Sequence, residues 1–183
     1  GWLWPLIRSA MSLAVGQGRL RFAIGFSVLV FTLLREGMYL YPIYLKTARF
    51  EVGTIGLLLA GLTVLGAWSA HRVEAIRLLL GERRLLLGLP ALMALSYLAM
   101  GRWFTGWGIG LLVLQMLVNG IYSPLSKELL NREISDSSQR ATVLSMEGMS
   151  RRLVFGIVSP LVGVFMDRLG TPSGFFVCGA LGI

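Results

Sequence analysis

Two sets of charged residues stand in sequence that is otherwise apolar. Arg35 and Glu36 interrupt FAIGFSVLVFTLLREGMYLY, and Glu147, Arg151 and Arg152 fall in the first half of RATVLSMEGMSRRLVFGIVSPLVGVFMDRLG. A charge at membrane depth must find a partner, reach the headgroups or face water. The chemistry open to these residues is therefore binding of a polar solute or movement of a proton, with Glu36 the candidate carrier. For Arg35 and Glu36 the alternative is a pair that snorkels to the outer interface, ~8–10 Å away by helix rise. Adjacent helical residues point ~100° apart, so the two need not face the same place. Glu147 and Arg151 are four apart and are expected to pair along their helix. They serve either a cavity or gate, or a structural salt bridge at the inner end. Arg152 stacks with Gly148 and Gly156 at helical spacing.

Gln115 and Asn119 lie one turn apart. They are expected either to hydrogen-bond a neighbouring helix, worth about 1 kcal/mol, or to touch a solute. Gly156, Pro160 and Gly163 share a face and are read as packing and kink residues. Small residues let another backbone come close, and neighbours satisfy the carbonyl that a proline frees. A helix built this way is expected to lie between other helices.

Enzymatic chemistry finds little footing, and no catalytic residue, cofactor or metal is expected. His71 is the one histidine and has no partner at metal-ligand spacing, and a Ser-His-Asp arrangement needs a second one. GWGIG at 106–110 follows no strand, so it is not a dinucleotide loop. There is no G-x-x-x-x-G-K to cradle phosphates.

The elements that must position these residues are membrane spans. The chain has 183 residues, of which 55% are hydrophobic and 14% charged, with a mean hydropathy of +0.73. A soluble domain has about 25% charged residues. Here the charges cluster and leave long apolar runs, which indicates an all-α, polytopic transmembrane helical bundle. The alternating segments of a membrane barrel do not occur. Spans are expected at about 22–41, 52–70, 85–100, 106–122 and 141–166, with a sixth at 174–183 cut short. The run Ala23–Leu34 covers only ~18 Å of a ~30 Å core, so Arg35 and Glu36 cannot sit fully outside. Leu153–Met166 covers ~21 Å, which draws part of 141–152 into the membrane. That places Glu147 near the inner boundary and the arginines slightly deeper.

Residues 1–21 read as an interfacial amphipathic segment and linker, or as the tail of a preceding span carrying Trp2 and Trp4. Tyr39, Tyr41 and Tyr44 are expected as an outer aromatic belt, with Pro42 near the helix end. Pro124 is expected to close the fourth span. With no initiator Met and a last run that stops short, the chain is expected to be a fragment. Cys178 is expected as a buried free thiol.

Orientation follows from basic residues. Arg8, Arg19, Arg21, Arg72, Arg77, Arg83, Arg84, Lys127, Arg132 and Arg140 fall on one side, and Lys46, Arg49, Arg102 and Arg168 on the other. The positive-inside rule then makes the linker and the 71–84 and 126–140 loops cytoplasmic. The net charge of +8 is thereby assigned to topology, and no nucleic-acid partner is expected.

Several motifs point further. Gly120, Tyr122 and Pro124 come where a span ends, followed by Asn131 in the polar loop, RATVLSM, SPLVG and Gly163-x-x-x-Asp167-Arg168-x-Gly170. Six spans in two groups of three, with these blocks between them, resemble the C-terminal half of a major facilitator superfamily transporter over essentially the whole chain. Gly163, Asp167, Arg168 and Gly170 match the family's loop signature. The block after the second span departs from it, with Ala70-His71-Arg72 where Asp-Arg would stand. The resemblance implies two three-helix inverted repeats and a missing N-terminal six-helix half of the same polypeptide. It also implies alternating access for a small-molecule solute in a lipid bilayer, the plasma or bacterial inner membrane. Transport would be secondary active or facilitative, with proton-coupled efflux as one form. The alternative is a polytopic membrane protein that does not transport, such as a sensor or assembly subunit.

Overall fold

The structure is a computed structural model that describes residues 17–104, 106–134 and 137–183, without the side chains of 137–139. Most of the expected interfacial segment, residues 1–16, lies outside the described residues. Every regular element described is helical: α1 (Gly18–Thr47), α2 (Val52–His71), α3 (Val73–Leu80), α4 (Glu82–Arg102), a 3-10 turn (Gly106–Gly108), α5 (Ile109–Glu133), α6 (Ser137–Leu169) and α7 (Thr171–Leu181). Five of them, α1, α2, α4, α5 with its preceding turn, and α6, are long and apolar enough to cross a membrane; α7 is shorter. An all-α bundle of this kind fits a membrane-embedded protein.

The helices run longer than the apolar runs that announce them. The first extends past Pro42, which is inside it and not at its end. It stops by a Schellman arrangement in which Arg49 takes the left-handed φ of 68°. There the Arg49 N–H donates to the Lys46 carbonyl and the Phe50 N–H to the Leu45 carbonyl, both at 3.0 Å. Pro124 likewise lies within α5, which continues to Glu133, so much of the expected 126–140 loop is helix. A proline removes one ladder hydrogen bond, and the helices absorb that loss because flanking turns remain bonded. At Gly170 φ is 87°. Gly170 thus supplies the backbone conformation that turns α6 into α7.

The most extensive packing joins α2 to α5 and α4 to α7; α6 lies along α1 and α7, and α1 also contacts α5. At the α2–α5 crossing, backbone meets backbone. A Cβ on Gly66 would lie 3.1 Å from the Met116 carbonyl oxygen, and Ser69 Oγ donates to the carbonyls of Gly66 (2.8 Å) and Leu117 (3.0 Å). The other α2 glycines, Gly53, Gly56 and Gly61, meet nothing. Around Phe175 an aromatic core gathers Tyr44, Tyr97 and Phe104, beside the buried free thiol of Cys178.

That core corrects the expected aromatic belt. Tyr41 and Tyr44 are 2% and 0% exposed, and only Tyr39 is open. The Tyr44 hydroxyl instead donates to the Trp103 carbonyl at 2.7 Å; Tyr41 and Tyr44, three apart, share a buried face, whereas Tyr39, two before Tyr41, points ~200° away from it.

The polar ends of α3, α4 and α5 are tied together. Arg77 pairs with Glu128, and with Glu74 at 3.0 Å, while Arg132 reaches Glu82 at 2.6 Å. The hydrogen bond that Arg77 donates to Glu128 holds its guanidinium above its ordinary pKa. Segments 71–84 and 128–133 therefore meet at one end of the bundle.

Candidate functional site: two carboxylates on the α1–α6 seam

Glu147 is 3% exposed and Glu36 is 2% exposed, and both touch the seam between α1 and α6. From the α1 side, the Ser27 hydroxyl donates to Glu147 Oε1. From its own helix, Arg151 Nε meets the same oxygen at 3.0 Å, the pairing expected of an i, i+4 spacing. The Arg151 guanidinium also lies 5.0 Å from the centroid of the Phe31 ring. Tyr122 of α5 closes the group, with its hydroxyl donating to the Ser27 carbonyl at 2.9 Å and lying 3.1 Å from Ser27 Oγ. Three helices are thus joined through Ser27, with the Glu147 carboxylate as its partner on α6. A cavity of about 300 Å³ opens beside it, bordered by Ser126, Lys127, Asn131, Glu147 and Arg151. Charged hydrogen bonds are the strong ones.

Glu36 is held more loosely. Ser159 Oγ of α6 donates to its Oε2 at 3.5 Å, and Oε1 has no hydrogen-bond partner. The adjacent Arg35 does not pair with it: the arginine is exposed and lies over the Tyr39 ring, 5.8 Å from its centroid. Tyr39 in turn stacks on Phe155 of α6 at 5.9 Å. The 100° between neighbouring helical residues turns the acid into the seam and the base out of it.

The remaining expected residues scatter. Gln115 is fully buried, and its Nε2 donates to Ser96 Oγ of α4 at 2.6 Å, a link between helices. Asn119 is exposed, so the two amides do not act together despite their spacing. Arg152 is exposed on α6, as are Asp167 and Arg168. No salt bridge among the described residues includes any of these three.

Among the described residues no helix packs closely on Gly156 or Gly163. Nothing lies within reach of a Cβ on Gly156 or Gly163, and Pro160 is exposed. Of the span within α6, 6% is buried. The helix is not enclosed by others of this chain, because α1 and α7 approach it from the sides that carry Val143, Glu147 and Val162.

Ser27 and Ser159 were not singled out from the sequence. Ser27 and Thr32 are both hydroxyls in one apolar run, and nothing local separates them. Thr32 bonds back to the Val28 carbonyl of its own helix at 2.8 Å, whereas Ser27 crosses to a residue 120 positions away. Among the described residues no three His, Cys, Asp or Glu gather to hold a metal. Neither a family model, nor a curated protein, nor a solved structure matches the chain.

Proposed function

We propose that this chain is the C-terminal six-helix half of a major facilitator-type transporter, moving a small solute by alternating access. It would work against a second six-helix half of the same polypeptide, in a plasma or bacterial inner membrane, with the 71–84 and 126–140 segments cytoplasmic. The observation that carries the reading is the pair of carboxylates buried on one helix seam, Glu36 and Glu147. Acids this deep in a bundle of membrane-length helices mark solute or proton pathways far more often than they stabilise a fold.

The pattern of packing supports it. Exchange the first three spans (α1, α2, α4) for the last three (α5, α6, α7) in order. The α2–α5 contact becomes α6–α1, while α4–α7 and α1–α5 map onto themselves, and all four contacts occur; the α6–α7 and α1–α4 contacts have no comparable counterpart in α2–α4 and α5–α7. Two inverted repeats would produce this pairing. The motif order between residues 120 and 170 is the remaining support.

Access from both sides is the direct test. With every native cysteine replaced, Cys178 by alanine among them, a cysteine at Asn119 should react with a membrane-impermeant maleimide from either face of oriented vesicles of the full-length protein. Labelling from one face alone would sink alternating access and favour a sensor or assembly subunit. Glu36 is the proposed coupling acid, since one of its oxygens is unengaged. Glu36→Gln is expected to abolish the response of solute flux to an imposed pH gradient while leaving exchange intact. A retained response would remove Glu36 from coupling.

A further inference from the structure

We propose that Arg35, Tyr39, Phe155 and Arg152 form a binding site for a small organic anion with a flat, apolar body. The inference deepens the transport reading, on which it rests for the water that reaches this face.

The register of the seam brings these residues together. Ser27 meets Glu147, and Phe31 meets Arg151, so residues of α1 lie level with residues numbered 120 higher on α6. By that register Arg35 stands level with Phe155 and Arg152 with Thr32. The two arginines therefore differ in height by only ~4.5 Å, about one helical turn. Around the helix axes they are linked through the two rings. The Arg35 guanidinium lies over Tyr39, which stacks on Phe155, and Arg152 precedes Phe155 by three residues and is its neighbour on the helix surface.

Charge decides the class of ligand. The acids of this region are turned inward: Glu147 is engaged by Arg151 and Ser27, and Glu36 by Ser159. The bases Arg35 and Arg152 are turned outward, and neither forms a salt bridge among the described residues. Each lies well inside its helix, Arg35 ~18 Å from the end of α1 and Arg152 ~26 Å from the end of α6 by helix rise. Two guanidinium groups at one depth repel each other and cannot face hydrocarbon. An oxyanion between them removes both costs, since guanidinium presents paired donors that match a carboxylate. Tyr39 and Phe155 then offer ring surface beside the anion, which suits a planar apolar group.

The test uses three probes of one shape and different charge: benzoate, benzyl alcohol and benzylammonium. Each is titrated calorimetrically into the full-length protein in lipid nanodiscs. Benzoate should bind about tenfold or more tightly than benzyl alcohol, and benzylammonium should bind least. Arg35→Gln and Arg152→Gln should each weaken benzoate by about tenfold without changing the weak binding of benzyl alcohol. Arg35→Lys should recover part of the loss. Unchanged far-ultraviolet circular dichroism and elution volume show that the variants are folded. Benzoate binding no tighter than the alcohol, no binding of any probe, or indifference to both substitutions overturns the site. Maleimide access from both faces without anion preference would reject this inference and leave transport standing. Anion preference with access from one face would do the reverse.

Discussion

Gly120→Ala should part α2 from α5 and lower stability by about 1–3 kcal/mol. A Cβ at Gly120 would collide with Ser69 Oγ and with the Gly66 carbonyl oxygen, and would lie 2.9 Å from the Gly66 carbonyl carbon. Rotation of the serine relieves one of these clashes. The other two involve backbone, so the helices themselves must move. Moving them breaks the 3.0 Å bond from Ser69 to the Leu117 carbonyl and loosens the contact along both helices. In lipid, close packing is most of what holds two helices together, because apolar side chains gain nothing by leaving water. Gly156→Ala is the control. Nothing approaches that position within 4 Å, and alanine favours helix over glycine, so stability should hold or rise slightly. Thermal unfolding of the two variants in detergent decides the matter. If both melt alongside the parent, the backbones of α2 and α5 do not meet at Gly120.

Glu147→Ala should cost about 2–3 kcal/mol, near the lower end for breaking a buried ion pair because Arg151 retains some solvent contact. The substitution leaves Arg151 with only the Phe31 ring and removes the acceptor that Ser27 donates to. The double variant Glu147→Ala/Arg151→Ala should recover part of the loss, since the stranded charge is gone. A double-mutant cycle by unfolding titration in mixed micelles measures this coupling. Additive losses would mean that the two residues act separately and that the carboxylate joins α1 to α6 without its arginine.

The contrast between these positions bears on what a sequence can say about such a site. The Glu147–Arg151 pair was legible because four residues on a helix are neighbours whatever the helix packs against. The value of Gly120 over Gly156 was not legible. Both glycines lie in apolar helices among small residues, and they differ only in whether another backbone passes by. Gln115 and Asn119 repeat the lesson. One turn of spacing suggested a shared face, yet Gln115 bonds Ser96 in the interior and Asn119 is exposed. Four residues advance a helix by ~400°, leaving ~40° between the two side chains, enough to straddle the edge of a buried stripe.

By itself the sequence determined the all-α character of the chain, the order of its long apolar helices, the buried thiol and the local Glu147–Arg151 ion pair. These depend on hydropathy and on contacts within a few residues, both of which are written along the chain. Only the tertiary structure decided how each helix is rotated about its axis. It turned Glu36 into the seam and Arg35 out of it, set Ser27 against Glu147, drew Tyr41 and Tyr44 into the core and left the small-residue face of α6 bare. Rotation is set by neighbours more than a hundred residues away. In a helix that is apolar nearly all round, no local amphipathic pattern marks the side that will be covered.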